Sequence, residues 1–261
     1  GIPIEPETMI SLASHPNIVA VYDRGVFDEL LWIAMEYVPG TDAARMLARE
    51  SPLDPGLACT IIAGAAAGLD AAHRRGVMHR DIKPANILIT PGADGDTDSA
   101  PEAVKLTDFG ISRATGDVTV TATGMVSGTP AYLAPEVARG EYPEPPADVF
   151  SLGALLYTMI EGTPPFGKRD NTFALLHAVA AGEIEPPRKP GPLTPLLLDM
   201  LASEPERRPT MRQAQAVLER VAAGVPAGPI PADPTARITM PPRQPQTPVP
   251  VPTAAFAPDR K

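Results

Sequence analysis

Two runs of strand-forming residues lie close together near the start of the chain. Residues 17–24 (NIVAVYDR) and 31–38 (LWIAMEYV) are rich in β-branched and aromatic side chains. The connector between them, GVFDEL, is short and includes a glycine and an aspartate. This pattern predicts a β-hairpin.

The next segment has the period of an amphipathic helix. Asp54 is suited to cap it, Pro55 to occupy its first position and Gly76 to follow its end. Arg74 and Arg75 near that end complement the helix dipole. The apolar residues repeat at helical spacing, at Ala58, Ile61, Ile62, Ala65, Leu69 and Ala72.

The second half of the chain predicts further helices. One begins at Asp148 and ends at Gly162, and residues 173–182 and 193–203 follow with similar apolar content. The last helix, within residues 209–221, opens with a Thr210/Gln213 capping box. Short apolar runs at 87–89 and 104–106 predict two strands. The whole indicates an α+β fold, with a small strand-rich head on a larger helical body ending near Ala223.

Composition narrows the functional classes. With 261 residues, 44% of them hydrophobic and 20% charged, the chain is typical of a globular protein. Its net charge of −9 argues against a nucleic-acid partner. Cys59 is the only cysteine, so a disulfide within the chain is excluded, and we expect it to be a core residue. Because no apolar run reaches the roughly 18 residues of a membrane span, and no leader opens the chain, we expect a cytoplasmic protein without a span.

The C-terminal part is rich in proline. Eleven prolines lie between Val225 and Lys261. Such a segment buries too little apolar surface to order itself. We predict a disordered linker over residues 224–261; a proline-motif ligand for a partner is the alternative.

One stretch, MHRDIKPANILI at 78–89, concentrates polar side chains just before a buried strand. Asp81 and Lys83 are two residues apart in an extended loop and can face one cavity. Asp81 is placed to accept a proton, and Lys83 to neutralise a phosphoryl group. Asn86 offers an oxygen to a hard cation, and Asp108 ends the next strand in LTDFG. Asn86 and Asp108 are therefore predicted to form a magnesium site.

Four short motifs along the chain occur in the same order as the motifs of a known protein family. HRDIKPAN at 79–86, DFG at 108–110, GTPAYLAPE at 128–136 and DVFSLG at 148–153 are similar to those of bacterial, eukaryotic-like serine/threonine protein kinases. The resemblance spans roughly residues 11–221. It implies a protein-kinase-like α+β fold with a partial small lobe at 1–38 and a mainly helical large lobe at 39–223.

The resemblance also implies roles at the nucleotide. Asp81 would be the catalytic base and Lys83 its electrostatic partner, and both would act on ATP whose Mg²⁺ is held by Asn86 and Asp108. Backbone groups of Glu36 and Val38 would contact the adenine. Met35 would be the gatekeeper, or an ordinary strand residue.

Four further positions match structural residues of the family. Lys83 together with Thr129 indicates the serine/threonine class. Glu136 and Arg208 match a buried ion pair. Asp148 matches an acid that holds the catalytic loop, although it could equally be a helix N-cap.

Arg80, beside the base, implies regulation by a phosphorylated loop. A phosphothreonine carries about −1.5 to −2 charges and pairs well with arginine. Thr119, Thr121 and Thr123 lie in that loop, the last two where such bacterial kinases autophosphorylate; ordinary exposed threonines are the alternative. The expected partners are protein substrates with serine or threonine, and a second copy for autophosphorylation.

The family pattern is incomplete at the N-terminal side. Before Leu57 the only glycines are 1, 25, 40 and 56, and the first lysine of the chain is Lys83. A glycine-rich phosphate loop and the small-lobe lysine are therefore missing. We interpret the chain as N-terminally truncated, processed or assigned a wrong start, with a small lobe that is poorly ordered or completed by another chain.

Three functions remain open at this point. The first is an ATP-dependent serine/threonine protein kinase, favoured by the four catalytic-loop and metal residues. The second is a catalytically impaired binding or scaffold module, favoured by the missing lysine. The third, a small-molecule phosphotransferase of kinase-like fold, is disfavoured by Lys83 and the GTPAYLAPE segment.

Overall fold

The computed structural model describes most of the chain. The described residues are 12, 14–28, 30–92, 100–109, 130–167, 169, 171–189 and 191–231. Structural statements below concern these residues.

The predicted hairpin is present. Strand β1 (Val21–Phe27) pairs antiparallel with strand β2 (Leu30–Met35), with Val21 opposite Met35 and Phe27 opposite Leu30. Every side chain of β2 is exposed, including Leu31 at 84%. The two strands form a sheet of their own among the described residues.

A second sheet packs against the helical part of the chain. It contains β3 (Thr41–Asp42), β4 (Ile87–Thr90) and β5 (Ala103–Leu106) in that order, all antiparallel. The segment before the hairpin docks on its edge. Val19 N–H donates to the Leu106 carbonyl (2.8 Å), Leu106 N–H donates to the Asn17 carbonyl (2.9 Å), and the Asn17 side chain donates to the Val104 carbonyl (2.8 Å).

The rest of the described chain is mainly helical. Its α-helices are α1 (Ala43–Arg49), α2 (Pro55–His73), α3 (Pro135–Ala138), α4 (Pro145–Glu161), α5 (Thr172–Ala181), α6 (Thr194–Met200) and α7 (Met211–Ala222). Short 3-10 turns lie at Pro84–Asn86, Pro130–Tyr132, Gly191–Leu193 and Pro205–Arg207. The small strand-rich part and the larger helical part confirm the predicted α+β class.

Helix α2 is the centre of the hydrophobic core. The Asp54 carboxylate caps it by accepting the N–H groups of Gly56 and Leu57, and Pro55 is its first residue. The helix packs against α4 and α7, and Cys59 is fully buried within it. Burial raises the pKa of the Cys59 thiol to about 12, so this cysteine is an unreactive core residue.

We expected no apolar stretch long enough for a membrane span, and one helix contradicts this by its length and composition. Among the described residues, α2 with its 19 residues is long and apolar enough to cross a bilayer. Of the 18-residue apolar window within it, 61% is buried inside the fold. A buried core helix passes the same test, so this is weak evidence for a span.

The first residues of the predicted tail pack on the last helix. Arg220 of α7 donates to the carbonyls of Ala227 and Pro229, and the Gln213 side chain donates to the Pro231 carbonyl (2.7 Å). Ala227 is buried. The prediction of disorder is therefore wrong for the residues up to Pro231, and residues 232–261 of the predicted tail lie outside the described residues.

Candidate active site

The loop that follows α2 is attached to the start of α4 through a buried carboxylate. Asp148 is 2% exposed; its Oδ2 accepts the backbone N–H of His79 (2.9 Å) and its Oδ1 that of Arg80 (2.9 Å). The alternative of an N-cap is wrong, because α4 begins at Pro145 and Glu144 holds the cap position. Prolines are tolerated in the first helical turn, where their missing N–H is not needed.

A third donor to Asp148 comes from His73, which the sequence did not single out. His73 Nε2 lies 2.8 Å from Asp148 Oδ2, at the C-terminal end of α2. Burial acts to raise the pKa of Asp148, but the hydrogen bonds from His73 and from the backbone N–H of His79 outweigh it, and the pKa lies below its ordinary value. The carboxylate is therefore charged and fully engaged at neutral pH.

His79 braces the loop from inside. Its Nε2 lies 2.9 Å from the Thr107 carbonyl, and its Nδ1 accepts the backbone N–H of Asp81 (3.3 Å). These partners assign the proton to Nε2. Burial lowers the pKa of His79, although the Asp148 charge opposes this, so the ring is neutral and structural.

The loop residues after His79 bring three polar side chains together, those of Asp81, Lys83 and Asn86. Lys83 Nζ lies 2.7 Å from Asp81 Oδ2, and both side chains are partly exposed. The Asn86 amide nitrogen donates to the Asp81 carbonyl (2.8 Å) and lies 3.3 Å from Asp81 Oδ2. The partly exposed carboxylate and ammonium are thus joined by the amide of Asn86, which is itself buried.

Asp108 is held beside the same loop by its neighbours. Thr107 N–H donates to the Asn86 carbonyl (3.1 Å), and the Phe109 ring lies 4.7 Å from the His79 ring. Asp108 itself is exposed and has a positive φ of 60°. Aspartate tolerates this left-handed conformation better than most residues.

The chemistry of Asn86 and Asp108 fits a magnesium ion. Because the Asn86 amide nitrogen is used within the loop, its oxygen is the atom left for a cation, and Asp108 adds an accessible carboxylate. No group of three or more His, Cys, Asp or Glu residues in the described ranges could hold a metal without help. Mg²⁺ usually takes one or two protein ligands together with substrate phosphates and water, so the oxygens of Asn86 and Asp108 are a sufficient protein contribution.

Arg80 adopts an unusual conformation next to this site. Its φ is 64°, rare for a residue other than glycine. One guanidinium nitrogen donates to the Tyr142 hydroxyl (3.1 Å), and the group lies 5.6 Å from the centre of that ring. Its Nε is buried and has no hydrogen-bond partner within the described ranges. Strain of this kind is concentrated at functional sites.

The predicted Glu136–Arg208 pair is formed and buried. Arg208 Nη1 and Nη2 lie 2.6 and 2.8 Å from the two carboxylate oxygens of Glu136. Arg208 also donates to the carbonyls of Pro146, Ala202 and Ser203 and lies over the Phe150 ring. It therefore joins α3, α4 and the turn before α7.

Comparison with known proteins decides the family. Residues 2–218 match the family model of the protein kinase domain. The chain belongs to this family.

Within the protein kinase family, the chain is similar to mycobacterial serine/threonine-protein kinases. It is 42% identical over 203 residues to PknJ of Mycobacterium tuberculosis, covering 74% of this chain and 33% of PknJ. It is 41% identical over 224 residues to PknB of Mycobacterium leprae (82% and 34%) and 40% identical over 223 residues to PknB of Mycolicibacterium smegmatis (81% and 34%). The chain spans about a third of the length of these relatives.

Several predicted residues of the kinase domain are not described. Thr119, Thr121, Thr123 and Thr129 lie outside the described residues, as does residue 110 of the DFG motif. Residues 1–11 of the predicted small lobe lie outside them as well.

The segment predicted to contact the adenine follows β2. Met35 ends that strand with its side chain 40% exposed, and Val38 is partly buried. The Glu36 side chain pairs with Lys105, a contact that sequence reasoning missed. Glu36 and Lys105 are 69 residues apart, and His73 and Asp148 are 75 residues apart. Because neither separation is that of neighbours on one helix or strand, no local sequence pattern predicts these two contacts.

Proposed function

We propose that the protein transfers the γ-phosphate of ATP to serine and threonine hydroxyls of other proteins. The observation that carries the proposal is the convergence of Lys83 Nζ on the Asp81 carboxylate at 2.7 Å, with the Asn86 amide on the same carboxylate. The family membership and the names of the mycobacterial relatives support it.

The residues suit phosphoryl transfer, which asks mainly for positioning and charge neutralisation. A substrate hydroxyl oxygen forms a bond to the γ-phosphorus while the bond between that phosphorus and the ADP oxygen breaks. Asp81 accepts the proton of the hydroxyl, and Lys83 offsets negative charge on the transferred group. Asn86 and Asp108 would hold Mg²⁺, which neutralises the phosphate oxygens when bound.

A phosphorylated loop would act through Arg80. The buried Nε of Arg80, unpaired among the described residues, is a donor suited to a phosphate. We propose Thr121 and Thr123, and then Thr119, as the modified residues, with a second copy of the chain as the enzyme. Mass spectrometry of an active preparation tests this, and an unmodified loop would end the idea.

Transfer of labelled phosphate from ATP to a generic basic protein tests the activity. The chain, its Asp81→Asn variant, the matched surface variant Asp23→Asn and a form extended upstream are compared. We expect Asp81→Asn to lower transfer by about a hundredfold or more, and Asp23→Asn to leave it unchanged.

The form extended upstream tests whether a glycine-rich phosphate loop and a small-lobe lysine, which the 261 residues lack, are needed for transfer. Transfer by the extended form alone would show that the ATP site needs upstream residues. No transfer by any form would favour the scaffold module over the kinase.

A further inference from the structure

An ion pair connects the end of the β1–β2 hairpin to the second sheet. Lys105 Nζ, on β5, lies 2.8 Å from Glu36 Oε1 and 3.0 Å from Oε2. Both side chains are largely shielded, with 17% of Lys105 and 25% of Glu36 exposed. Such shielding makes the pair less sensitive to salt than a surface ion pair.

The Glu36 carboxylate is also built into the backbone around it. Ala20 N–H donates to Glu36 Oε2 (3.1 Å), and Glu36 N–H donates to the Ala20 carbonyl (2.8 Å). Burial acts to raise the pKa of Glu36, but the hydrogen bonds from Lys105 and Ala20 outweigh it and lower the pKa. The carboxylate is therefore charged and held on two sides.

This pair joins two parts of the proposed nucleotide site. The family pattern assigns the backbone of Glu36 to the adenine, and Lys105 lies three residues before Asp108 on the strand that leads to the metal site. The hairpin itself gives little support, since every side chain of β2 is exposed. The Glu36 side chain therefore adds a direct connection between this peptide and β5, beside the backbone bond of Glu36 to Ala20.

We propose that Lys105 is a positioning residue for the nucleotide base, acting through Glu36. This rests on the proposed kinase function. With the pair intact, the backbone of residue 36 is fixed relative to β5 before the nucleotide arrives, so less ordering is required on binding. Loss of the pair should weaken ATP binding specifically, and leave the proton acceptor Asp81 and the peptide site unaffected.

Steady-state kinetics separates these effects, measured on whichever form transfers phosphate, the 261-residue chain or the form extended upstream. For Lys105→Met and for Glu36→Gln we expect the KM for ATP to rise about three- to tenfold, with kcat and the KM for a peptide substrate within about twofold. Lys105→Arg, which preserves the ion pair, should restore the KM for ATP. The double variant should resemble either single variant, because both remove one interaction.

Lys189→Met is the matched control, since Lys189 is exposed and its backbone N–H, which the substitution retains, donates to Glu161. Hydrogen exchange of the 261-residue chain adds a readout independent of catalysis, and we expect faster exchange of the Ala20 and Glu36 amides in Lys105→Met, since these are the amides bonded beside the pair.

Three outcomes would overturn the proposal. One is an unchanged KM for ATP together with unchanged exchange. The second is a parallel loss of all kinetic parameters in Lys105→Met and Glu36→Gln, which would indicate a purely structural pair. The third is a rise in kcat in Lys105→Met, which would show that the pair restrains the lobes. Failure of the kinase function itself is distinct, because the unaltered protein would then show no difference from Asp81→Asn.

Discussion

Asp148 Oδ1 accepts the backbone N–H of Arg80 at 2.9 Å, across 68 residues of sequence. With its second oxygen bound to His79 N–H and His73, this buried carboxylate fixes the loop that carries Asp81. In Asp148→Asn one oxygen is replaced by an NH₂ group that faces N–H donors. We expect a loss of about 3 kcal/mol in the free energy of unfolding, measured by urea denaturation, and loss of phosphate transfer.

His73→Gln is the companion variant for this prediction. It removes the ring but keeps an amide that can donate to Asp148, so we expect a loss of about 1 kcal/mol. Equal losses in the two variants would show that the backbone N–H bonds to Asp148 contribute little.

The Glu136–Arg208 pair gives a prediction about stability alone. In Arg208→Met the Glu136 carboxylate stays buried without its partner, and we expect a loss of about 3–5 kcal/mol in the free energy of unfolding. The neighbouring Arg207 is 72% exposed and 3.5 Å from Glu204, so Arg207→Met should change stability by no more than about 0.5 kcal/mol. Thermal or urea unfolding of both variants measures the contrast.

Removing both partners tests whether the pair itself is needed. Glu136→Gln combined with Arg208→Met should cost clearly less than the sum of the two single changes, since the unpaired charge is gone. Additive costs would contradict a direct interaction.

Local signals in the sequence predicted much of the fold. Asp54 and Pro55 begin α2, and the Thr210/Gln213 capping box begins α7, because capping depends on residues three apart. The start of α4 was predicted three residues late, at Asp148, because its first turn contains two prolines that the apolar repeat does not mark.

Local sequence signals predicted only some of the contacts in the candidate active site. Asp81, Lys83 and Asn86 lie within six residues, so their convergence follows from the loop itself. His73 lies 75 residues from Asp148, and Lys105 lies 69 residues from Glu36. Such pairs depend on the packing of separate elements, and a lone histidine or lysine has no spacing that indicates its partner.

The buried His79 predicts a pH dependence of stability. Its pKa is lowered in the folded protein, so below the ordinary value of 6.5 the unfolded chain binds a proton that the folded chain does not. Stability should therefore fall as the pH drops from about 7 to 5.5. Urea denaturation across this range should show the fall in the unaltered chain and a flatter profile in His79→Gln.

The contribution of His15 to the pH dependence of stability must be distinguished from that of His79. Burial and the charges of Arg74 and Arg75 lower the pKa of His15, which contributes in the same direction. His15→Gln is thus the control. Asp148 and Glu36, whose pKa values are lowered from 3.8 and 4.5, lose their contributions only at more acidic pH. A profile that is identical in His79→Gln and the unaltered chain would contradict a neutral, buried His79.

A close approach of α2 to the segment before the hairpin requires glycine at position 68. A Cβ there would lie 2.8 Å from the Asn17 carbonyl oxygen and 3.0 Å from Leu106 Cδ1. We expect Gly68→Ala to lower the free energy of unfolding by about 1–3 kcal/mol despite its better helix propensity. In Gly56→Ala the added Cβ meets the end of the Asp54 side chain instead, so the cost should be smaller. Denaturant unfolding compares the two, and equal stabilities would show that the Asn17 segment moves freely.

The β1–β2 hairpin should be the least protected element of the described fold. Its two strands have no further strand partner among the described residues, and large apolar side chains such as Tyr22, Phe27 and Leu31 are more than 70% exposed. A two-stranded sheet is only marginally stable in water. Amide hydrogen exchange of the 261-residue chain should show fast exchange across residues 21–35 and slow exchange in α2, where most side chains are buried. Protection of the hairpin equal to that of α2, at concentrations where the chain is monomeric, would show that the pair of strands needs no additional partner.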